Sequence, residues 1–246
     1  MKINTAIVIA GGVGSRLKEL NNSDKLNLPK PMIKVLGKPI LEYILIWLRK
    51  QYIENVIIGV AYKKEKIIEY FGDGKNFGLN IFYSNHSIED GTGDAFRKAI
   101  ENTGLRDEFF YALNCDQFTD FRLSQLFDHH ISSEQKPSPL ATILLIQPVC
   151  PFGIVETGEN GLITSFKEKP RLNLQTNGGI YLFHKNIKSY LADNIETVTF
   201  VNLSKAKRLQ SVFYRGFWDT INTYKDLGRV EKVLKKNKKL RLLYEI

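Results

Sequence analysis

The chain has 246 residues, 43% of them hydrophobic and 25% charged, which suits a globular protein of one large domain or two small ones and excludes a low-complexity or fibrous chain. Two cysteines, Cys115 and Cys150, are too few for a disulfide framework, and no apolar run is long enough to span a bilayer, so a cytoplasmic protein without leader or anchor is expected. The net charge of +9 suits anionic partners, yet no zinc-ligand spacing or nucleic-acid-binding signature accompanies it, so neither nucleic acid nor membrane is an expected partner.

"TAIVIA" (5–10) reads as a buried strand that feeds "AGGVGSRL" (10–17). "PILEYILIWLRKQY" (39–52) opens on a proline and places Ile40, Ile44, Trp47 and Leu48 at helical spacing. "NVIIGV" (55–60) predicts a strand, "KKEKIIEYF" (63–71) a helix, "LNIFYS" (79–84) a strand, "GDAFRKAI" (93–100) a helix and "FFYALN" (109–114) a strand. This alternation argues for a mainly parallel sheet covered on both faces. After "KPSP", near residue 136, the rhythm changes: "LATILLIQ" (140–147), "FGIVET" (152–157), "GLITSFKEK" (161–169) and "GGIYLF" (178–183) are strand-like with few helices between them. Glu159-Asn160-Gly161 carries an Asn-Gly hairpin signal. The tail "KVLKKNKKLRLL" reads as a solvated helix face with an apolar seam of Val233, Leu234, Leu240 and Leu242.

Gly11, Gly12 and Gly14 let backbone N–H groups approach an anion closely, and Arg16 adds a planar donor fork suited to phosphate. A glycine turn with no ligand is the plain alternative. The frame matches neither a P-loop nor a dinucleotide fingerprint, whose last glycine position holds Leu17. His86, His129, His130 and His184 form no nucleophile–base constellation and read as structural or surface residues.

"AGGVGSRL", "PKPM" and "GKPILEYIL", in that order, resemble the signature of the sugar-1-phosphate nucleotidyltransferases. The resemblance continues through "EDGTGDAF", "LNCD", "FGIVE", "FKEKP", "NGGIYLF" and "GFWDT", so it covers nearly the whole chain. It implies a Rossmann-like three-layer α/β/α fold with a mixed, mainly parallel central sheet and a smaller antiparallel sugar-binding lobe. One domain over 1–246 is expected, with a nucleotide-binding half (1–135), a sugar-phosphate-binding half (136–221) and a C-terminal helical segment (222–246). The implied reaction joins a nucleoside triphosphate and a sugar 1-phosphate and releases pyrophosphate. "GTGDA" and "NGGIYLF" lean toward guanylyl transfer to a mannose- or heptose-type 1-phosphate; thymidylyl, uridylyl or cytidylyl transfer stays open, as does a non-catalytic regulatory relative. A homodimer is compatible with the sequence.

By resemblance, Arg16 and Lys30 bind the triphosphate with Ala10, Gly11, Gly12, Gly14 and Ser15, while Asn85, Gly91 and Thr92 read the base. Thr92 has a plainer reading as a helix cap. Pro29 and Pro31 restrict the backbone around Lys30 and favour a fixed direction for it. Asp116 follows a strand, where open α/β sheets build their sites, and the resemblance pairs it with Asp219 to hold Mg²⁺, a hard cation that prefers oxygen ligands. Gly153, Glu168, Lys169, Asn177 and Gly178 are the implied sugar-phosphate residues. Two polyanions brought within bonding distance need neutralising charge more than proton transfer, and Arg16, Lys30 and Asp116 are the catalytic set that the resemblance implies.

Three departures stand out. The stretch from 17 to 29 is longer than usual and would form a lid; Asn114-Cys115-Asp116 lacks the usual glycine before the aspartate; and Asn222 stands where glycine is usual. The chain ends soon after the pattern, so a single activity is expected.

Overall fold

The structure is a computed structural model and describes residues 3–14 and 28–246. The chain opens with strand β1 (Thr5–Ile9), a small ribbon of β2 (Lys34–Val35) and β3 (Lys38–Pro39), helix α1 (Ile40–Lys50), β4 (Asn55–Val60) and α2 (Lys64–Phe71). Then come β5 (Asn80–Asn85), α3 (Thr92–Thr103), β6 (Phe109–Asn114), β7 (Gln117–Thr119), α4 (Ser124–Ile131) and β8 (Ala141–Ile146). The remainder is β9 (Ile154–Thr157), β10 (Ile163–Lys167), β11 (Thr176–His184), α5 (Phe200–Lys205), β12 (Leu209–Tyr214), β13 (Trp218–Thr220), α6 (Tyr224–Lys236) and α7 (Lys238–Tyr244). Among the described residues no helix is long and apolar enough to cross a membrane.

One seven-stranded sheet runs β12-β8-β11-β6-β1-β4-β5. β6, β1, β4 and β5 are parallel, β11 is antiparallel to β6 and β8, and β12 is parallel to β8. The expected mixed, mainly parallel sheet is therefore present. Strands from beyond residue 136 complete it; β9 and β10 stand apart as a separate hairpin, and β13 pairs with β7 outside the large sheet.

Side-chain alternation builds the layers. Ala6 and Val8 enter one core with α1, whereas Ile7 between them enters the other with Phe96 of α3 and Phe200 of α5. α1 is buried on nearly every side, including Tyr43, Ile44, Leu45 and Trp47, because α7 covers it from outside the sheet. Tyr244, at the end of α7, lies edge-on to Tyr43 with ring centroids 5.8 Å apart, and its hydroxyl accepts from Thr119 N (2.7 Å) and donates to Thr119 O (2.9 Å). A side chain from the tail thus pins β7 through both of one residue's backbone groups.

α6 begins at a reciprocal cap: Thr223 Oγ1 accepts from Asp226 N (3.3 Å) and Asp226 Oδ2 accepts from Thr223 N (2.8 Å). Leu234 and Leu240 are buried as the apolar seam requires, but Leu242 is 67% exposed. The helix restarts at Asn237, whose side chain accepts from Leu240 N, and this reset turns Leu242 outward. The Asn160-Gly161 turn is wider than a two-residue hairpin: both residues take positive φ (58° and 76°), and Gly158 N donates to Leu162 O across it.

Candidate active site

β1 ends at Ile9, and the chain leaves the sheet through Ala10, whose N–H donates to Gly59 O at 2.8 Å. Gly11 runs so close to His86 that a Cβ there would lie 2.4 Å from Nε2, and Gly12 faces open space. Gly14 has φ +67°, and a Cβ on it would stand 2.9 Å from Lys30 Cβ. Glycine is needed at 14 on both counts, by backbone conformation and by the approach of Lys30. Ser15, Arg16 and the expected lid lie outside the described residues, apart from the lid's end at Leu28 and Pro29.

Lys30 opens a short 3₁₀ turn between Pro29 and Pro31. Its Nζ donates to Asp116 Oδ2 (2.5 Å) and to Asn222 Oδ1 (3.0 Å), and the ion pair is largely buried, with side-chain exposures of 14% and 15%. Asp116 follows β6, next to β1 in the sheet, so the glycine turn and the carboxylate leave neighbouring strand ends. Asp116 Oδ1 accepts from Gln117 Nε2 at 2.8 Å. Gln117 is itself buried, and its Oε1 has no partner. An unpaired acceptor costs roughly 1–3 kcal/mol, so it marks a place where a donor from outside the chain would be welcome. Burial pushes the Cys115 thiol up to about 12, with Asp116 adding to the effect, so Cys115 is an inert packing residue.

Asn222 and Gln117 were missed as site residues. The signal for Asn222 was visible as a departure from the glycine usual there; Gln117 carried none.

Asp219 lies in β13, on the strand beside the one that follows Asp116. β13 pairs antiparallel with β7, setting Trp218 opposite Thr119, Asp219 opposite Phe118 and Thr220 opposite Gln117. Directly paired residues share a face of the ladder. Thr220 therefore shares Gln117's face, and its Oγ1 lies 3.5 Å from Asn222 Nδ2. Asp219 is paired with buried Phe118 and is bonded from α6: Arg229 donates Nε to Oδ2 (2.9 Å) and Nη2 to Oδ1 (2.6 Å), and Thr220 N also donates to Oδ1 (2.8 Å). Arg229 bonds Asp226 as well (2.7 Å), and the two carboxylates raise its pKa, Asp219 most. Among the described residues, no group of three or more His, Cys, Asp or Glu side chains forms a metal-binding cluster.

On the expected base-reading side, Asn85 ends β5 and its carbonyl accepts from Asn102 Nδ2 (3.3 Å). Gly91 N donates to Asp193 Oδ1 (2.9 Å); Thr92 Oγ1 donates to Glu196 Oε2 (3.0 Å) and accepts from Ile195 N (3.3 Å). Thr92 therefore ties α3 to the 193–196 segment, and Gly91 holds the cap position with no side-chain bond. A Cβ on Gly93 would strike Ala192 O, so that segment seats directly on the helix start.

On the expected sugar-phosphate side, Asn177 Oδ1 accepts from Gly179 N (3.0 Å) and its Nδ2 donates to Tyr181 OH (3.0 Å). Gly178 O accepts from Trp218 Nε1 (2.9 Å), which ties β11 to β13. The β11–β8 register shifts here, and Gly179, at φ +70°, leaves room for Gln117 Nε2, 2.4 Å from where a Cβ would be. Gly153 and Glu168 are neighbours: a Cβ on Gly153 would lie 3.1 Å from Glu168 Oε2. Lys169 pairs with Glu168 at 3.1 Å, both well exposed on the hairpin, and no hydrogen bond or ion pair among the described residues joins them to Lys30 or Asp116.

A family model described as "Nucleotidyl transferase" matches residues 5–241. A D-glycero-alpha-D-manno-heptose 1-phosphate guanylyltransferase of Campylobacter jejuni is 37% identical over 186 residues, covering 74% of this chain and 76% of its own. A UTP–glucose-1-phosphate uridylyltransferase of Synechocystis sp. is 31% identical over 210 residues, covering 78% of this chain, which spans only 52% of that relative's length. Among solved structures, HddC from Yersinia pseudotuberculosis superposes with a TM-score of 0.71 at 21% identity over 94% of this chain and 99% of its own, which shows a shared fold.

Proposed function

The chain belongs to the nucleotidyl transferase family, and on that premise we propose that it transfers a nucleotidyl group from a nucleoside triphosphate to a sugar 1-phosphate, releasing pyrophosphate. The carrying observation is the Lys30–Asp116–Asn222 cluster set against Gly14. An ammonium has three donors. Two are fixed by Asp116 and Asn222, which aims the third while leaving it for a phosphate oxygen. The glycine turn adds backbone N–H groups, and Arg16 adds a guanidinium for the departing pyrophosphate.

The sugar phosphate's oxygen is already ionised at neutral pH. It attacks the α-phosphorus in line, the bond to the pyrophosphate oxygen breaks, and charge shifts onto the leaving group. Lys30 holds that charge in a half-buried setting where a fixed cation acts more strongly than in bulk water. We assign the triphosphate to the half built by residues 1–135, with Asn85, Gly91 and Thr92 at the base, and the sugar phosphate to 136–221, with Gly153, Glu168, Lys169, Asn177 and Gly178. Mg²⁺ is the divalent ion in this reading, with Asp116 and Asp219 as the carboxylates that would hold it; further neutralisation by the protein is the work of Lys30, Arg16 and the backbone donors.

Guanylyl transfer to a heptose- or mannose-type 1-phosphate is the finer reading, supported by 37% and 36% identity to two heptose 1-phosphate guanylyltransferases. Pyrophosphate release, measured with each nucleoside triphosphate against mannose, heptose and glucose 1-phosphates, tests both levels. The expected result is fastest turnover with GTP. A pyrimidine nucleotide as the best substrate overturns the finer reading, and turnover with no pair overturns the transferase itself.

A further inference from the structure

Lys30 has two anchors of different charge. Asp116 fixes the ammonium as an ion pair and offsets its field, whereas Asn222 Oδ1, 3.0 Å from Nζ, fixes it without adding negative charge. Asp116 is also an oxygen ligand that a divalent ion would take, and such an ion repels the ammonium beside it. Asn222 is the anchor free of that competition. The start of α6 explains why its side chain stands there. Thr223 and Asp226 form the reciprocal cap, and Asp226 Oδ2 accepts one donor more, Asn222 N at 3.1 Å, so the residue ahead of the cap is held by its backbone. Arg229 holds the other oxygen of Asp226 at 2.7 Å. The amide group is oriented as well. An ammonium only donates, so Oδ1 faces Lys30, and Nδ2 turns to Thr220 Oγ1, 3.5 Å away. On the glycine-turn side, a Cβ at Gly14 would stand 2.9 Å from Lys30 Cβ, so the root of the lysine is confined there.

We propose that Asn222 is a positioning residue that keeps the Lys30 ammonium aimed at the pyrophosphate end of the triphosphate. It acts through Lys30 and touches no substrate. Its neutrality is the functional property, because it gives the ammonium a direction and leaves the positive charge for the phosphate oxygens. The setting rests on the transferase reading, but the content is a coupling between Asn222 and Lys30 toward a phosphate anion, and that coupling is measured without turnover.

The test is calorimetric binding of inorganic pyrophosphate to the full chain. Five proteins are compared: the unaltered chain, Asn222→Ala, Asn222→Asp, Lys30→Met and the double variant Lys30→Met/Asn222→Ala. Thr223 and Asp226 are untouched in all of them, so the cap of α6 is kept, and circular dichroism verifies each fold. Loss of a hydrogen bond to a charged group predicts affinity weaker by roughly tenfold in Asn222→Ala. Asn222→Asp keeps the bond to Lys30 but adds charge of the ligand's own sign, and should weaken binding by at least as much. In the Lys30→Met background the alanine change should cost under roughly twofold, since its target is gone. Where a substrate pair turns over, Asn222→Ala should lower kcat by roughly tenfold and leave the KM for the sugar phosphate within roughly twofold. A folded Asn222→Ala protein that binds pyrophosphate as the unaltered chain does overturns the proposal. So does an equal loss in both backgrounds, which is the mark of a purely structural residue, or an Asn222→Asp protein with undiminished affinity. An unaltered chain with no measurable pyrophosphate binding overturns it too. Failure of pyrophosphate release with every substrate pair leaves the calorimetric comparisons readable, so the two readings fail separately.

Discussion

Replacing Gly179 by alanine tests the link between the register shift in β11 and the catalytic carboxylate. Gly179 sits at φ +70°, and a Cβ would come within 2.4 Å of Gln117 Nε2 and 3.2 Å of Asn114 Nδ2. Holding alanine in the left-handed region costs about 1–2 kcal/mol. Gln117 is buried and must swing away, which breaks its 2.8 Å bond to Asp116, and a hydrogen bond to a charged group is worth about 1.5–3 kcal/mol. The sum is a loss of about 2.5–5 kcal/mol, or a fall in Tm of roughly 5–20 °C for a chain of this size. In a Gln117→Ala background the clash and the bond are both gone, so Gly179→Ala should then cost only about 1–2 kcal/mol. Thermal or urea unfolding of the four proteins in the cycle gives the coupling. Additive costs within about 0.5 kcal/mol refute the reasoning, since Gly179 and Gln117 would then be independent.

Lys30→Met should lower kcat/KM by roughly 10²–10³, the size seen when one preorganised donor to developing charge is lost, and a pyrophosphate-release assay within tenfold of the unaltered chain would remove Lys30 from the chemistry. Stability should fall below neutral pH through His130. Burial, with smaller contributions from His184 and His129, lowers its pKa to about 4, and its Nδ1 lies 2.8 Å from Thr142 Oγ1. The folded value is depressed, so the unfolded chain binds the extra proton; the stabilisation is complete above about pH 6.5 and is lost as pH falls toward 4, by at most about 3 kcal/mol. Unfolding free energies for His130→Gln from pH 7.5 to 4 should lose that part of the slope, and an unchanged slope would contradict the assignment. Tyr244→Phe leaves Thr119 N without its buried partner and should cost about 1–3 kcal/mol by urea unfolding; a change under about 0.5 kcal/mol would mean that the bond is not needed.

The strands at 55–60 and 109–114 were legible to the residue because both faces of each are buried, which makes a continuous apolar run bounded by polar residues. β12 escaped notice because only one side of "LQSVFY" meets a neighbour, and its residues are half-buried or exposed. β7 and β13 are three residues each, too short for periodicity to register. The site was legible where chemistry lies in single residues at strand ends, as at Asp116 and Lys30. The pairing of Asp219 with Arg229 was not legible, because a motif fixes which letters occur and not which side chain on a later helix meets them. Nor was the Gly91–Asp193 contact visible, since a partner 102 residues away leaves no local trace.

The seat of Tyr244 has a practical corollary. The ribbon that carries Gln117 and Thr220 is not part of the large sheet, so its alignment borrows rigidity from a phenol supplied more than a hundred residues downstream. Trimming the chain back past Leu243 would leave that ribbon unclamped and blur the spacing around the reacting phosphates while most of the Rossmann-like layers stayed intact.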